Sequence, residues 1–224
     1  MIRLENISKG IWVQERYRLV LDNISIQMPE GRAIGLLGRN GAGKSTLLQI
    51  IAGTVQPTRG RVVRRGNVSW PIGGANSLHP DMTGVQNTRF LARLYGVESD
   101  ALTRFVADFA DIGAYFNMPL RTYSQGMKSR LSFGIAMGIP FDTYLIDEVT
   151  GAGDASFKRK SRHVFAERMA RASAIMVSHS MPDMRKFCDS GLVLTGGRLE
   201  YFSTIEAAIR HHENLLAMQA AHVA

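Results

Sequence analysis

Nine residues, Gly38-Arg39-Asn40-Gly41-Ala42-Gly43-Lys44-Ser45-Thr46, fit G-x-x-x-x-G-K-[ST] and lie between an apolar strand-like run, Ala33 to Leu37, and an apolar helix-like run, Leu47 to Ala52. Few short patterns constrain a fold as tightly. Wrapping a triphosphate needs successive backbone N–H groups turned inward. Glycines permit the unusual φ values and the close backbone approach, and the N-terminus of the following helix adds partial positive charge. In such a cradle Lys44 is expected at the β and γ phosphates and Ser45 at Mg2+. The expected fold class is therefore α/β of the P-loop NTPase kind.

The chain has 224 residues, 24.7 kDa and 45% apolar residues, enough for one substantial core or two closely packed lobes. No apolar run approaches the ~20 residues needed to cross a bilayer, and Met1-Ile2-Arg3-Leu4-Glu5-Asn6 lacks a secretory signal's apolar stretch. A cytoplasmic protein is expected. A single cysteine, Cys188, suits a reducing compartment and reads as a small core residue. Lys plus Arg total 27 against 19 Asp plus Glu, a net charge of +8. That charge attracts nucleotide, nucleic acid or an anionic membrane face. The positive residues are dispersed, with short clusters at Arg59 to Arg65 and Lys158 to Arg162, so a solvated basic face is expected.

Residues Ile2 to Ile7 and Leu19 to Met28 alternate apolar and polar, as half-buried strands do, and Pro29-Glu30-Gly31 marks a turn. An N-terminal antiparallel β subdomain is expected. From Met82 to Ile139 the period becomes helical: Leu102, Phe105, Val106 and Phe109 fall on one face, with Ser99 as cap and Gly113 as stop. Strand and helix then alternate, with strands at Tyr144 to Asp147, Ala174 to Ser178 and Leu192 to Thr195, and helices at Ala155 to Arg171 and Pro182 to Phe187. One nucleotide-binding domain is expected. Residues 1–81 and 140–203 form its α/β core with the β subdomain, residues 82–139 an inserted helical subdomain, and residues 204–224 a C-terminal helix opened by the capping pattern Ser203-Thr204-Ile205-Glu206.

Thr143-Tyr144-Leu145-Ile146-Asp147-Glu148 is an apolar strand that ends in two carboxylates, and ligands of open α/β sheets lie at the carboxyl ends of strands. Asp147 is suited to hold Mg2+ directly or through water, and Glu148 to orient the attacking water and accept its proton. His179 follows the next apolar strand and emerges at the same edge, in reach of a γ-phosphate. Ser124-Gln125-Gly126 precedes the helical run Lys128 to Met137, so Ser124, the Gly126 amide and the helix N-terminus form a second anion site. Taken alone it is an N-cap. Beside a cradle that already holds one ATP, it makes sense as the completion of another subunit's site.

In this order the motifs resemble those of the ATP-binding subunit of ABC transporters. Gly38 to Thr46 matches the Walker A loop, Ser124-Gln125-Gly126 the core of the signature, Tyr144 to Asp147 with Glu148 the Walker B strand and catalytic glutamate, Asp154 the D-loop aspartate, and His179 the switch histidine. Within the family, Tyr123-Ser124-Gln125-Gly126-Met127, Ser69-Trp70-Pro71-Ile72-Gly73 and Asp147 to Asp154 resemble the ATPases of polysaccharide exporters, above all capsular ones. The resemblance implies ATP and Mg2+ as ligands and a homodimer at the cytoplasmic face of the bacterial inner membrane. It also implies membrane permease subunits as partners, with the polysaccharide and periplasmic or outer-membrane export components met indirectly.

Three departures stand out. The loop from Trp70 to Ser77 has no glutamine, which the family uses to join Mg2+ to the helical subdomain. Position 11, where the resemblance places an adenine-stacking aromatic, is Ile11; Trp12 is the expected substitute and Tyr17 a weaker one, with a packing role for Trp12 as the alternative. Gln125 and Met127 stand where the family signature has glycine and glutamine. A soluble ABC-type ATPase acting on nucleic acid would suit the charge, but neither a paired second cassette nor a long insertion is present, so no nucleic-acid partner is expected. A GTPase is disfavoured because there is no N-K-x-D motif.

Overall fold

The computed structural model describes residues 1–73, 78–147 and 155–221. These fall into two compact units. The first comprises Met1–Pro71, Thr143–Glu148 and Ala172–Ala224, and the second comprises Ile72–Asp142 and Val149–Arg171.

In the first unit, β1 (Ile2–Val13) and β2 (Arg16–Met28) form an antiparallel hairpin, and β4 (Arg59–Arg64) pairs with the other edge of β1. Val13 opposes Arg16, so the turn is the two residues Gln14 and Glu15, at φ 44° and 64°. That left-handed pair matches the strand twist, as two-residue hairpins require. The register slips between Lys9/Leu21 and Gly10/Leu19, which leaves Val20 as an extra residue in β2. This bulge re-aims the outer hairpin relative to its base.

The second sheet of this unit has six strands in the order β5 (Val68–Ile72), β6 (Thr143–Asp147), β7 (Ser173–Val177), β3 (Ala33–Leu37), β8 (Ser190–Thr195) and β9 (Arg198–Phe202). Strands β6, β7, β3 and β8 are parallel, and β9 returns antiparallel. Parallel strands covered on both faces read as continuous apolar runs, and every residue of β3 is buried. Pro71, which lacks an N–H, is tolerated because β5 is an edge strand. Nearby, the Ser69 hydroxyl accepts the Leu145 N–H at 2.8 Å and donates to the Trp70 carbonyl at 2.8 Å.

Helix α1 (Lys44–Ala52) buries Leu47, Leu48, Ile50 and Ile51 against β1, β2 and β3. Each such side chain contributes about 1.5–3 kcal/mol by leaving water. At the far end of α1, Gly53 turns left-handed and its N–H meets the Gln49 and Ile50 carbonyls, while the Arg64 guanidinium donates to the carbonyls of Ile50 at 2.7 Å and Ile51 at 2.5 Å. Helix α6 (Met181–Phe187) and helix α7 (Ile205–Ala221) complete the unit. A Cβ on Gly191 would lie 2.3 Å from Ala208 Cβ, so α7 rests directly on the backbone of β8. Cys188 is buried as expected, and burial followed by the Asp189 charge pushes its thiol up to about 12.

The second unit is helical: α2 (Gly84–Leu94), α3 (Ser99–Ala110), short 3-10 turns at Gly113–Asn117 and Leu120–Thr122, α4 (Gln125–Gly138) and α5 (Ala155–Met169). Thr83 and Gln86 form a reciprocal capping box at the start of α2. Leu102, Val106 and Phe109 are buried as their spacing predicts, and Phe109 stacks on Phe105 and Phe133. Gly134 and Gly138 admit this close approach: a Cβ on Gly138 would lie 2.4 Å from Leu102 Cδ1.

Both ends of α3 differ from the sequence expectation. The cap of α3 is Glu98, whose carboxylate accepts the N–H groups of Asp100 at 2.9 Å and Ala101 at 2.6 Å; Ser99 is the first helical residue. The stop is Asp111, at φ 48°, and not Gly113. The two backbone donors hold the Glu98 carboxyl below the ordinary glutamate value. A lowered folded-state pKa means stability present above the unfolded pKa and lost as pH falls through the folded one. Glu98→Ala is therefore expected to lower the melting temperature at pH 7, and the difference from wild type should shrink as pH falls below the ordinary glutamate range, as thermal scans at neutral and acid pH will show.

Candidate functional site

The cradle sits where β3 ends. Gly38 has φ 154°, and a Cβ there would lie 2.6 Å from the Leu194 backbone carbonyl. Only glycine lets the loop leave β3 this close to β8. Gly41 and Gly43 are left-handed at φ 76° and 105°, and the Ala42 N–H closes the turn on the Arg39 carbonyl at 3.1 Å. Gly43 caps α1 without a side chain, and no acidic residue occupies the first turn. The helix thus presents its amides and its positive end to whatever fills the loop. Lys44 Nζ donates to the carbonyls of Gly38 at 2.7 Å and Arg39 at 3.0 Å, which holds its charge across the loop. Those features fit a polyphosphate: close-approaching backbone, unspent helix amides and a fixed ammonium. Ser45 and Thr46 follow on the first turn of α1.

Asp147 ends β6, level with Val177 of β7, and β7 pairs directly with β3. His179 lies two residues past the end of β7 and is exposed, and Ser180 then caps α6 by accepting the Asp183 N–H. The cradle, Asp147 and His179 therefore share one carboxyl edge of one sheet, as the strand-end reasoning predicts. Ser45 and Asp147 offer hard oxygen donors of the kind Mg2+ takes, and the ion would neutralise phosphate charge there. Glu148 and Asp154 lie outside the described residues, as does Gly74 to Ser77 of the glutamine-free loop.

In the second unit, Ser124 caps α4 and its hydroxyl accepts the Met127 N–H at 3.2 Å. A Cβ on Gly126 would meet nothing nearer than Ser124 Oγ at 3.9 Å, so the first turn of α4 faces open space. Below it Tyr123 is buried, and its hydroxyl donates to the Tyr115 carbonyl at 2.6 Å.

Trp12 stands opposite Tyr17 across the hairpin, on the strand face that also carries Leu19. The side chains that pack on the cradle are Val20, whose Cγ1 lies 2.6 Å from where a Gly43 Cβ would be, and Leu21, whose Cδ2 lies 3.5 Å from it. The sequence reading passed over Val20 and also His212 on α7. Burial, and after it the Lys44 charge, holds His212 below the ordinary histidine value.

The family profile described as ABC transporter matches residues 21–151. This chain belongs to the ABC transporter family. It is 39% identical over 216 residues to the polysialic acid transport ATP-binding protein KpsT of Escherichia coli, covering 95% of this chain and 96% of that one. It is also 39% identical over 215 residues to the capsule polysaccharide export ATP-binding protein CtrD of Neisseria meningitidis, covering 96% and 100%. Its fold matches a solved dimeric post-hydrolysis state of the ATP-binding cassette MJ0796 bound to ADP and Pi, with a TM-score of 0.75 at 22% identity over 92% of this chain and 99% of that one. As a member of this family of ATPases, the chain hydrolyses ATP.

Lys44→Ala removes the one ammonium held across the loop. It is expected to lower ATP affinity at least tenfold, the scale of a charge-assisted contact, with an unchanged melting temperature without nucleotide. Equilibrium binding of a fluorescent ATP analogue and a thermal scan check both halves.

Proposed function

We propose that this chain is the ATP-hydrolysing subunit of a capsular polysaccharide exporter, working as a homodimer beneath membrane permease subunits at the inner membrane. The observation that carries the reading is the near full-length identity of 39% to two ATP-binding proteins of capsule and polysialic acid transport, in a chain whose cradle glycines, Lys44 and Asp147 occupy one sheet edge. Sequence supplies the remaining parts. Glu148, next to Asp147, acts as general base toward the attacking water; His179 contacts the γ-phosphate from the same edge; Asp154 contributes at the seam between the two copies. Phe90 and Leu94, 56% and 62% exposed one turn apart on α2, offer an apolar contact for a cytoplasmic permease segment.

No helix among the described residues is long and apolar enough to cross a membrane, so transport needs a separate membrane partner in this reading. Chemistry at the cradle is positioning and charge stabilisation. The loop amides and Lys44 hold the phosphates, Ser45 and Asp147 hold Mg2+, and Glu148 takes the proton of the water as it attacks in line. Glu148→Gln is expected to keep ATP binding and slow hydrolysis about 10²-fold or more, the scale of losing a positioned general base. Steady-state phosphate release from the purified variant checks it, and near-normal turnover would remove Glu148 from the mechanism.

The second anion site has a role only in trans. Ser124 and the Gly126 amide of one copy close on the ATP held by Gly38 to Thr46 of the other. Mixed dimers test this: with Lys44→Ala in one copy and Ser124→Arg in the other, one composite site carries both defects and the other none. One ATP per dimer is the expected stoichiometry; equal impairment of both sites contradicts completion in trans.

A further inference from the structure

The β1–β2 hairpin carries five exposed large apolar side chains near its tip: Ile11, Trp12, Val13, Tyr17 and Leu19. Residues paired across an antiparallel ladder share a face. Ile11 opposes Arg18 and Val13 opposes Arg16, whereas Gly10 opposes Leu19 and Trp12 opposes Tyr17. The hairpin thus has an aliphatic and basic face, and an aromatic face on its other side.

Val20 decides which of these adjoins the cradle. It continues the alternating row of Arg16 and Arg18 along β2, and its side chain packs on Gly43, the last glycine before Lys44. Leu19, in the other row, is 46% exposed. The surface that runs outward from the cradle is therefore that of Arg18, Ile11, Arg16 and Val13. On the aromatic face Trp12 and Tyr17 pack on each other while staying 74% and 52% exposed. The Tyr17 ring lies so close over Gly10 that a Cβ there would fall 2.0 Å from its hydroxyl, and the ring meets Trp12 edge to face at 5.4 Å between centroids.

We propose that the purine base of the bound nucleotide rests on the cross-strand pair Ile11 and Arg18, and that Trp12 and Tyr17 take no part in holding it. The proposal rests on Gly38 to Thr46 being the nucleotide site. With the phosphates fixed there, the base extends onto the neighbouring hairpin surface, where Ile11 is 38% and Val13 48% exposed. A purine face needs an apolar or cationic platform. Ile11 supplies methyl and methylene contact, and the planar guanidinium of Arg18 stacks on the ring with its charge against the π cloud. Arg18 here does the work that an aromatic ring would do.

The test compares binding of Mg·ATP with that of Mg·tripolyphosphate, which shares the phosphate anchor and lacks the base. Arg18→Ala is expected to weaken ATP binding about threefold to tenfold, the range of a cation–π contact, and to leave tripolyphosphate unchanged. Trp12→Ala should change neither. If the alanine variant of Arg18 lowers the melting temperature, Arg18→Gln is measured in its place. As an independent readout, Trp12 emission in the Trp70→Phe variant should stay constant as ATP saturates. The proposal is overturned if Trp12→Ala weakens ATP alone, if Trp12 emission is strongly quenched, if loss of Arg18 weakens both ligands equally, or if it weakens neither. Failure of the wild type to bind tripolyphosphate and ATP alike would overturn the nucleotide-site reading itself.

Discussion

The Leu194 carbonyl stands where a side chain on Gly38 would have to go, and that contact sets the path of the loop from β3 to α1. Because β3 and β8 are hydrogen-bonded neighbours up to Leu37 and Val193, the loop leaving β3 has only backbone-to-backbone distance in which to turn. Glycine permits the turn. The turn then leads into the uncapped N-terminus of α1 and folds the Lys44 ammonium back onto the carbonyls of Gly38 and Arg39. The apolar underside of α1 fixes the helix in place through Leu47, Leu48, Ile50 and Ile51. The shape of the loop is thus set by strand spacing and core packing.

The same sheet explains why residues far apart in sequence act together. Parallel pairing brings the ends of β6, β7 and β3 to one edge, so Asp147 and His179 share that edge with Gly38. Each residue follows a run of buried side chains that specifies the strand but has no chemistry of its own. Asp147 is the last residue of β6, and His179 lies two residues past the end of β7.

Most of this was legible in the sequence because it depends on periodicity and on glycine. The strand at Ala33 to Leu37, the helix after it and the parallel strands that follow carry strong local signals. Strand β9 went unread although Gly196 and Gly197, at φ 57° and 80°, are a two-residue hairpin signal. The cap at Glu98 went unread because a carboxylate one residue before a serine competes for the same amides, and only geometry shows which one wins. The facing of the hairpin was beyond sequence. A bulge at Val20 shifts the parity of every residue outside it, so spacing from Gly38 cannot tell whether position 11 or position 12 looks toward the cradle.

Arg64 gives α1 an asymmetry. Its guanidinium and Gly53 together satisfy the carbonyls at the negative pole of the helix, while the positive pole at Gly43 has neither a side-chain cap nor an acidic neighbour. The fold has earthed one terminal of a short electrical element and left the other live. That element runs from the edge of the antiparallel sheet, at β4, to the glycine loop after β3. The helix is therefore clamped at one end by a different layer of the protein and left open at the other, where a negative charge would meet its first-turn amides.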